Sequence, residues 1–191
     1  MKNKNITFLG VPTHWGVGIK ELAKGPAAYR EHGILENLRS EGFDVEDAGD
    51  IDCNSDKEVV VTDTRMRYVD EVVTVSKSTS KKVEEIISAG RVPLVIGGDH
   101  SVEIGAISGA AKALKGNIGI IYIDEHGDLN TDRYTDSGNI HGMSLAAVMG
   151  LGDKRVAAIS GVAVKKENVL HVGGDMFDTT EIELIEAERI E

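Results

Sequence analysis

The sequence predicts an α/β fold of three layers, with helices on both faces of a parallel sheet. Short apolar runs alternate along the chain with longer amphipathic ones, the pattern of repeated strand–helix units. Three of the runs, VPLVIGG (92–98), NIGIIYID (117–124) and NVLHVGG (168–174), are continuously apolar rather than alternating, as strands covered on both faces are. The 191 residues suffice for a sizeable core, and no repeat, low-complexity tract or linker divides them. Residues 1–191 are therefore expected to form a single domain.

The elements follow in order. ITFLG (6–10) reads as the first strand and opens into a Gly/Pro-rich loop. Pro26 suits a helix start, and the stretch behind it brings Tyr29, Ile34, Leu35 and Leu38 near one face of a single helix. DVEDAGDI is a short strand and turn. YVDEVVTVSKSTSKKVEEIISAG is a long helix capped by Gly90, despite its β-branched residues. VPLVIGG is a buried strand, SVEIGAISGAAKALKG a helix, NIGIIYID and NVLHVGG further buried strands. TTEIELIEAERIE is a helix running to the last residue. The longest irregular stretch is HGDLNTDRYTDSGNIHG, and loops of that length in a small domain are usually functional or disordered.

Composition excludes several functions. A formal net charge of -11 repels nucleic acid and anionic membranes, so neither is expected as a partner. It draws in cations, whether metal ions or a cationic small molecule. The lone Cys53 makes no internal disulfide and no cysteine zinc site, which suits a reducing cytoplasm. Its ordinary role is a small buried thiol. No run of about 20 apolar residues is present. The apolar run at the N-terminus is too short for a signal peptide.

In open parallel sheets, sites lie beyond the C-terminal ends of strands. That brings together VIGGDHS, with Asp99 and His100, and YIDEHGD, with Asp124, His126 and Asp128. In extended chain, positions i, i+2 and i+4 share a side, so Asp124, His126 and Asp128 converge while Glu125 and Gly127 point away. Like groups so placed repel unless something positive sits among them. A mixed imidazole and carboxylate set suits Mn²⁺, Zn²⁺ or Fe²⁺, and Mn²⁺ more as the carboxylate share rises. Gly97 and Gly98 allow a positive φ or a close backbone approach at the turn. A D-x-H-x-D run can also be plain surface charge, but its place after a buried strand, paired with GGDH, favours a metal site.

GGDHSVEIG (97–105), DEHGDLNT (124–131) and SGNIHGMSLA (137–146) resemble three signatures of the manganese ureohydrolases, the arginase/agmatinase superfamily, in order and spacing. GVPTHWGVGIKELAKGPAAYR (10–30) is similar to the opening of the bacterial arginases. The resemblance spans essentially the whole chain and implies an arginase-like fold that hydrolyses the guanidino group of L-arginine to L-ornithine and urea. It implies that His100, Asp124 and Asp128 ligate one Mn²⁺, with Asp124 bridging to a second that His126 also binds. His141 matches a histidine that shuttles a proton to the leaving amine, a task suited to a pKa near neutrality. Asn130, Thr135, Ser137 and Asn139 match positions that hold the α-carboxylate. Asp178 and Glu181 match an acidic pair for the α-amino group, although acidic residues at a helix N-terminus are an equally natural reading. The family forms trimers or hexamers, which makes a homo-oligomer the expectation here.

Departures from the pattern shape what is expected. The family's later strand carries an Asp-x-Asp pair, and after residue 142 this sequence has none. The fold is thus expected to lack its C-terminal strands. Four ligands rather than six point to one metal and impaired turnover. Alternatives are another ureohydrolase, acting on agmatine, formimidoylglutamate or guanidinobutyrate, or a non-catalytic metal-binding remnant; the SGNIHG loop favours an amino-acid substrate. Glu125 stands where the family has a small residue, Gly127 where Ala or Thr is usual and Ser144 where Pro is common. If Glu125 is buried, it must find a partner or a proton.

Overall fold

The first apolar run forms β1 (Asn5–Val11), and every residue of it from Thr7 onward is buried. A computed structural model describes residues 5–157, 159–174 and 176–188. After β1 come α1 (Gly25–Glu31), α2 (Ile34–Ser40), β2 (Asp44–Asp50), α3 (Val69–Ser88), β3 (Val92–Gly97) and α4 (Val102–Ala113). Then follow β4 (Ile120–Ile123), α5 (Ser144–Val148), α6 (Lys154–Ala157), β5 (Val169–Val172) and α7 (Thr179–Glu188). The single helix expected after Pro26 is two. Gly33 adopts φ +76, the left-handed backbone that glycine tolerates, and breaks it. Leu35 then points into the core, whereas Tyr29 stays exposed. The last helix is described to Glu188, and residues 189–191 of the expected helix lie outside the described residues.

All strand pairing is parallel, as expected, but it falls into two sheets: β2-β1-β3, and β4-β5. The first sheet is covered on both faces. Phe8 and Val45 pack with Leu35 under α1 and α2. Leu9 and Val11 pack on the opposite face against Val72, Val75, Val83 and Ile104 of α3 and α4. Arg91 ties the start of β3 to its neighbours. Its guanidinium donates to Thr7 Oγ1 (2.7 Å), Ile6 O (2.6 Å) and Asp44 Oδ2 (2.9 Å). Helices α3 and α4 pack closely through small residues. A Cβ on Gly105 or Gly109 would run into Ser76, Thr79, Ser80 or Val83 of α3. That contact seats α4, whose first turn faces the site.

The second sheet is covered on one face only among the described residues. Tyr122 and Val169 pack with Ala111, Leu145 and Val148. On the opposite face Ile121 and Ile123 are 70% and 79% exposed, beside Leu170 and Val172 at 55% and 43%. The runs read as fully buried strands therefore differ from expectation. In the described residues β3 pairs with β1 alone and is half-buried, and β4 pairs with β5 alone. No described helix is long and apolar enough to cross a membrane.

Candidate metal centre

The site begins at the turn after β3. Gly98 N–H donates to Val11 O (3.1 Å) and Asp99 N–H to Thr13 O (3.1 Å), so this turn lies against the loop that follows β1. A Cβ on Gly98 would collide with Thr13 O, so close approach, not positive φ, explains this glycine. Asp99 is buried and committed to backbone: it accepts from Gly16 N–H and Ser101 N–H, each at 2.8 Å. Gly16 in turn accepts from His141 N–H (3.2 Å). The Asp of GGDH is thus a brace for the loop that carries His141, and His100 alone is free to turn toward the second strand end.

His100 does so. Its Nδ1 lies 2.7 Å from Asp128 Oδ2 and 3.5 Å from Asp124 Oδ2. One donor atom from each of His100, Asp124 and Asp128 fits within 4.8 Å of the others, close enough for a single ion. The opposite ring nitrogen, Nε2, faces Glu103 Oε2 at 3.2 Å, on the first turn of α4. Tyr122 reaches in from β4, with its hydroxyl 2.7 Å from Asp128 Oδ2 and 2.9 Å from Glu103 Oε1. One hydroxyl proton serves only one of these carboxylates at a time. Asp128 first, then Glu103, push the His100 imidazole up to about 10, against the opposing effect of burial. Burial pushes the Tyr122 phenol up as well, so it remains a donor. The carboxylates around His100 favour positive charge in this pocket, and a divalent cation answers the same demand.

Asp128 reaches the group by a route that the alternation of an extended strand does not describe. The strand stops at Ile123, and Asp128 adopts φ +48, a conformation Asp tolerates better than most residues. Its carbonyl accepts N–H groups from Leu145 (3.1 Å) and Ala146 (3.2 Å), which locks the turn onto the start of α5. Between them, His126 N–H donates to Asp124 Oδ1 (2.9 Å), a local turn that bends the chain. The His126 side chain is consequently 62% exposed, with Nδ1 3.5 Å from Asp124 Oδ1, and stands outside the three-residue group. Asp124 lies between the two histidines, one oxygen toward each. Burial raises its pKa, but the His126 N–H and the nearby imidazoles together bring it below the ordinary value. Glu125, expected to need a partner if buried, is exposed and needs none.

The remaining residues form the surroundings. His141 sits on a 3-10 turn, Ile140–Met143, whose Gly142 carbonyl accepts from Asn130 N–H (3.2 Å). Thr135 Oγ1 accepts from Gly138 N–H (3.0 Å) and Ser137 Oγ from Asn139 N–H (3.2 Å), so both shape the loop. Asn139 Oδ1 accepts from Arg67 Nη1 (3.1 Å), leaving its NH₂ available. Asn130 Nδ2 donates to Asp178 Oδ2 (2.9 Å). Glu181 is also tied into the fold. It is buried, and its carboxylate accepts from Leu129 N–H and Asp178 N–H, each at 2.9 Å. That is the back-bond of a helix capping box, with Asp178 at the cap.

Sequence reasoning passed over Glu103 and Tyr122. Both had a signal: Glu103 is three residues after His100 at a helix start, and Tyr122 is two before Asp124 in the apolar run that leads to it.

The Arginase family model matches residues 4–191. The arginase of Brevibacillus brevis is 44% identical over 185 residues, which is 96% of this chain and 61% of that protein. The crystal structure of Bacillus cereus arginase superposes with a TM-score of 0.87 at 42% identity, covering 97% of this chain and 62% of its own. The arginase of Entamoeba histolytica in complex with L-ornithine superposes with a TM-score of 0.89 at 28% identity, over 100% of this chain and 65% of that one. The chain spans about three fifths of the length of such relatives.

Proposed function

The chain belongs to the arginase family, and on that premise we propose that it binds a divalent metal, Mn²⁺, and acts on the guanidino group of L-arginine to give L-ornithine and urea. The observation that carries this reading is the convergence of His100, Asp124 and Asp128. Three donors of which two are carboxylates suit Mn²⁺. Once bound, the metal supplies the Lewis acidity that makes water a nucleophile at neutral pH. L-Ornithine, held by the Entamoeba histolytica arginase, is the product expected of an L-arginine substrate.

The chain's own residues do the rest. His100 would present Nδ1 to the ion, with Glu103 accepting at Nε2, a contact that orients the ring. Tyr122 positions the Asp128 carboxylate by donating to it. Asp124, with one oxygen toward each histidine, would hold a metal together with His100 and Asp128, and His126 would be the donor left for any further ion. A single donor holds an ion weakly, so one Mn²⁺ per chain is expected. His141 stands as the group that passes a proton to the leaving amine. Asn130, Thr135, Ser137 and Asn139 line the place of the α-carboxylate. Asp178, already against Asn130, and Glu181, bonded to the Asp178 N–H, are the acidic pair for the α-amino end.

Urea release from L-arginine tests this. Slow turnover that requires added Mn²⁺ and disappears in Asp128→Ala is the expected result. Turnover without any metal dependence would overturn the reading. Metal binding without hydrolysis favours the second reading, a non-catalytic metal binder, for which the exposure of His126 is the supporting observation.

A further inference from the structure

Arg67 belongs to a strap, residues 63–68, that leads into α3 and lies along the loop carrying Thr135, Ser137 and Asn139. Buried Met66 pins the strap, and Asp63 Oδ1 accepts from the N–H groups of Arg65 (3.0 Å) and Met66 (3.1 Å). The strap grips both ends of the loop. Arg65 donates through Nε to Asp132 O (2.6 Å) and through Nη2 to Arg133 O. Arg67 N–H donates to Gly138 O (3.0 Å). A Cβ on Gly138 would lie 1.9 Å from Thr64 O, so the two segments meet backbone to backbone. Tyr68 adopts φ +55, which a bulky residue rarely takes. Strain of that kind persists only where the surroundings enforce it, and it concentrates at functional sites. The Tyr68 ring centre lies 5.4 Å from that of buried Trp15, and the Arg67 guanidinium carbon lies 5.7 Å from the Tyr68 ring centre. The cation is thus held by backbone on one side and an aromatic face on the other.

From there Arg67 Nη1 donates to Asn139 Oδ1 (3.1 Å). The two ends of an amide are told apart by their partners, and a guanidinium only donates. The oxygen of Asn139 must therefore face Arg67, and its NH₂, which only donates, faces away. A donor whose other end rests on a fixed cation suits an anionic acceptor. The hydroxyls of Thr135 and Ser137 rotate and serve as donor or acceptor alike, so they leave the choice of ligand to the amide. We propose that Arg67 is a positioning residue that sets specificity: by holding the Asn139 NH₂ outward, it makes the site prefer a ligand that carries an α-carboxylate over the same molecule without one. The ligand class is then the α-amino acid, not its decarboxylated amine. This rests on the reading of Asn139 as a residue that lines the place of the α-carboxylate.

The test compares L-ornithine with 1,4-diaminobutane, the same molecule without its carboxylate, by calorimetric titration of the 191-residue chain. The unsubstituted chain is expected to bind L-ornithine about tenfold more tightly or better. Arg67→Met keeps an apolar stem beside Tyr68 but donates nothing from its side chain. It is expected to weaken L-ornithine about tenfold and to leave 1,4-diaminobutane within about twofold. Arg67→Lys, still a donor, is expected to recover most of the preference. In an Asn139→Ala background, Arg67→Met is expected to add nothing, because the effect passes through that amide. Equal weakening of both ligands would mark Arg67 as a fold residue only and overturns the proposal, as does an Arg67 effect that persists without Asn139. A chain that binds L-ornithine with no effect of Arg67 fails this proposal alone. A chain that binds no L-ornithine fails the arginine reading, and this proposal with it.

Discussion

Strands β1 and β4 are short, apolar and parallel-paired, yet they live in different surroundings. Phe8, Leu9 and Val11 of β1 are buried on both faces, with α1 and α2 on one side and α3 and α4 on the other. Ile121 and Ile123 of β4 face solvent, although Tyr122 between them is buried. Apolar content alone does not say whether a strand is covered. What covers β1 is encoded next to it in the sequence, and the described residues hold no counterpart for the outer face of β4. The site draws on both regions: His100 follows the sheet that helices cover on both faces, and Asp124 and Asp128 follow the half-covered one.

The largest way to break this comparison is Phe8→Ala. A fully buried aromatic in a two-sided core is expected to cost about 3–5 kcal/mol, read by urea unfolding; a loss below about 1 kcal/mol would show that β1 is no better packed than β4. Next is Glu181→Ala, which leaves the Leu129 and Asp178 N–H groups without an acceptor. A loss of about 1–3 kcal/mol is expected, and the metal-bearing turn loosens with it. Glu181→Gln, which keeps an acceptor, should recover much of that stability.

A smaller effect is expected from Asp47. Its hydrogen bonds from Arg30 hold the carboxyl below its usual range, with burial opposing. The sign follows from the depressed value: this contribution is present above about pH 4, the unfolded carboxylate value, and is lost as pH falls further. Asp47→Asn should flatten the acid limb of a melting-temperature profile while changing stability at pH 7 by about 1 kcal/mol or less. Smallest is Ile123→Thr, expected within about 0.5 kcal/mol because the side chain is already in water. A large loss there would mean that β4 is covered after all.

Much of this was legible in the sequence, and the failures share a cause. The strand–helix order, the parallel pairing and the two strand ends that meet are local or topological properties, written in apolar runs and glycines. His100 and Asp124 followed from strand ends alone. The convergence of Asp128 came out, but by a left-handed turn braced on α5 rather than by strand alternation, and the same bend tipped His126 outward. Such a bend depends on a tertiary partner, the Leu145 and Ala146 amides, which no local pattern announces. Asp99 and Glu181 read as chemistry, and the sequence did not show that both accept backbone N–H groups, because buried amides need acceptors wherever they occur. The split of the sheet was invisible for a related reason: a strand's sequence does not name its neighbours.

The most direct measurement is a Mn²⁺ titration of the purified chain followed by electron paramagnetic resonance of the free ion. One Mn²⁺ bound per chain is expected, with binding lost in His100→Ala and in Asp128→Ala and retained in Ile123→Thr. No binding at all, or binding that survives both ligand substitutions, would contradict a metal centre built from His100, Asp124 and Asp128.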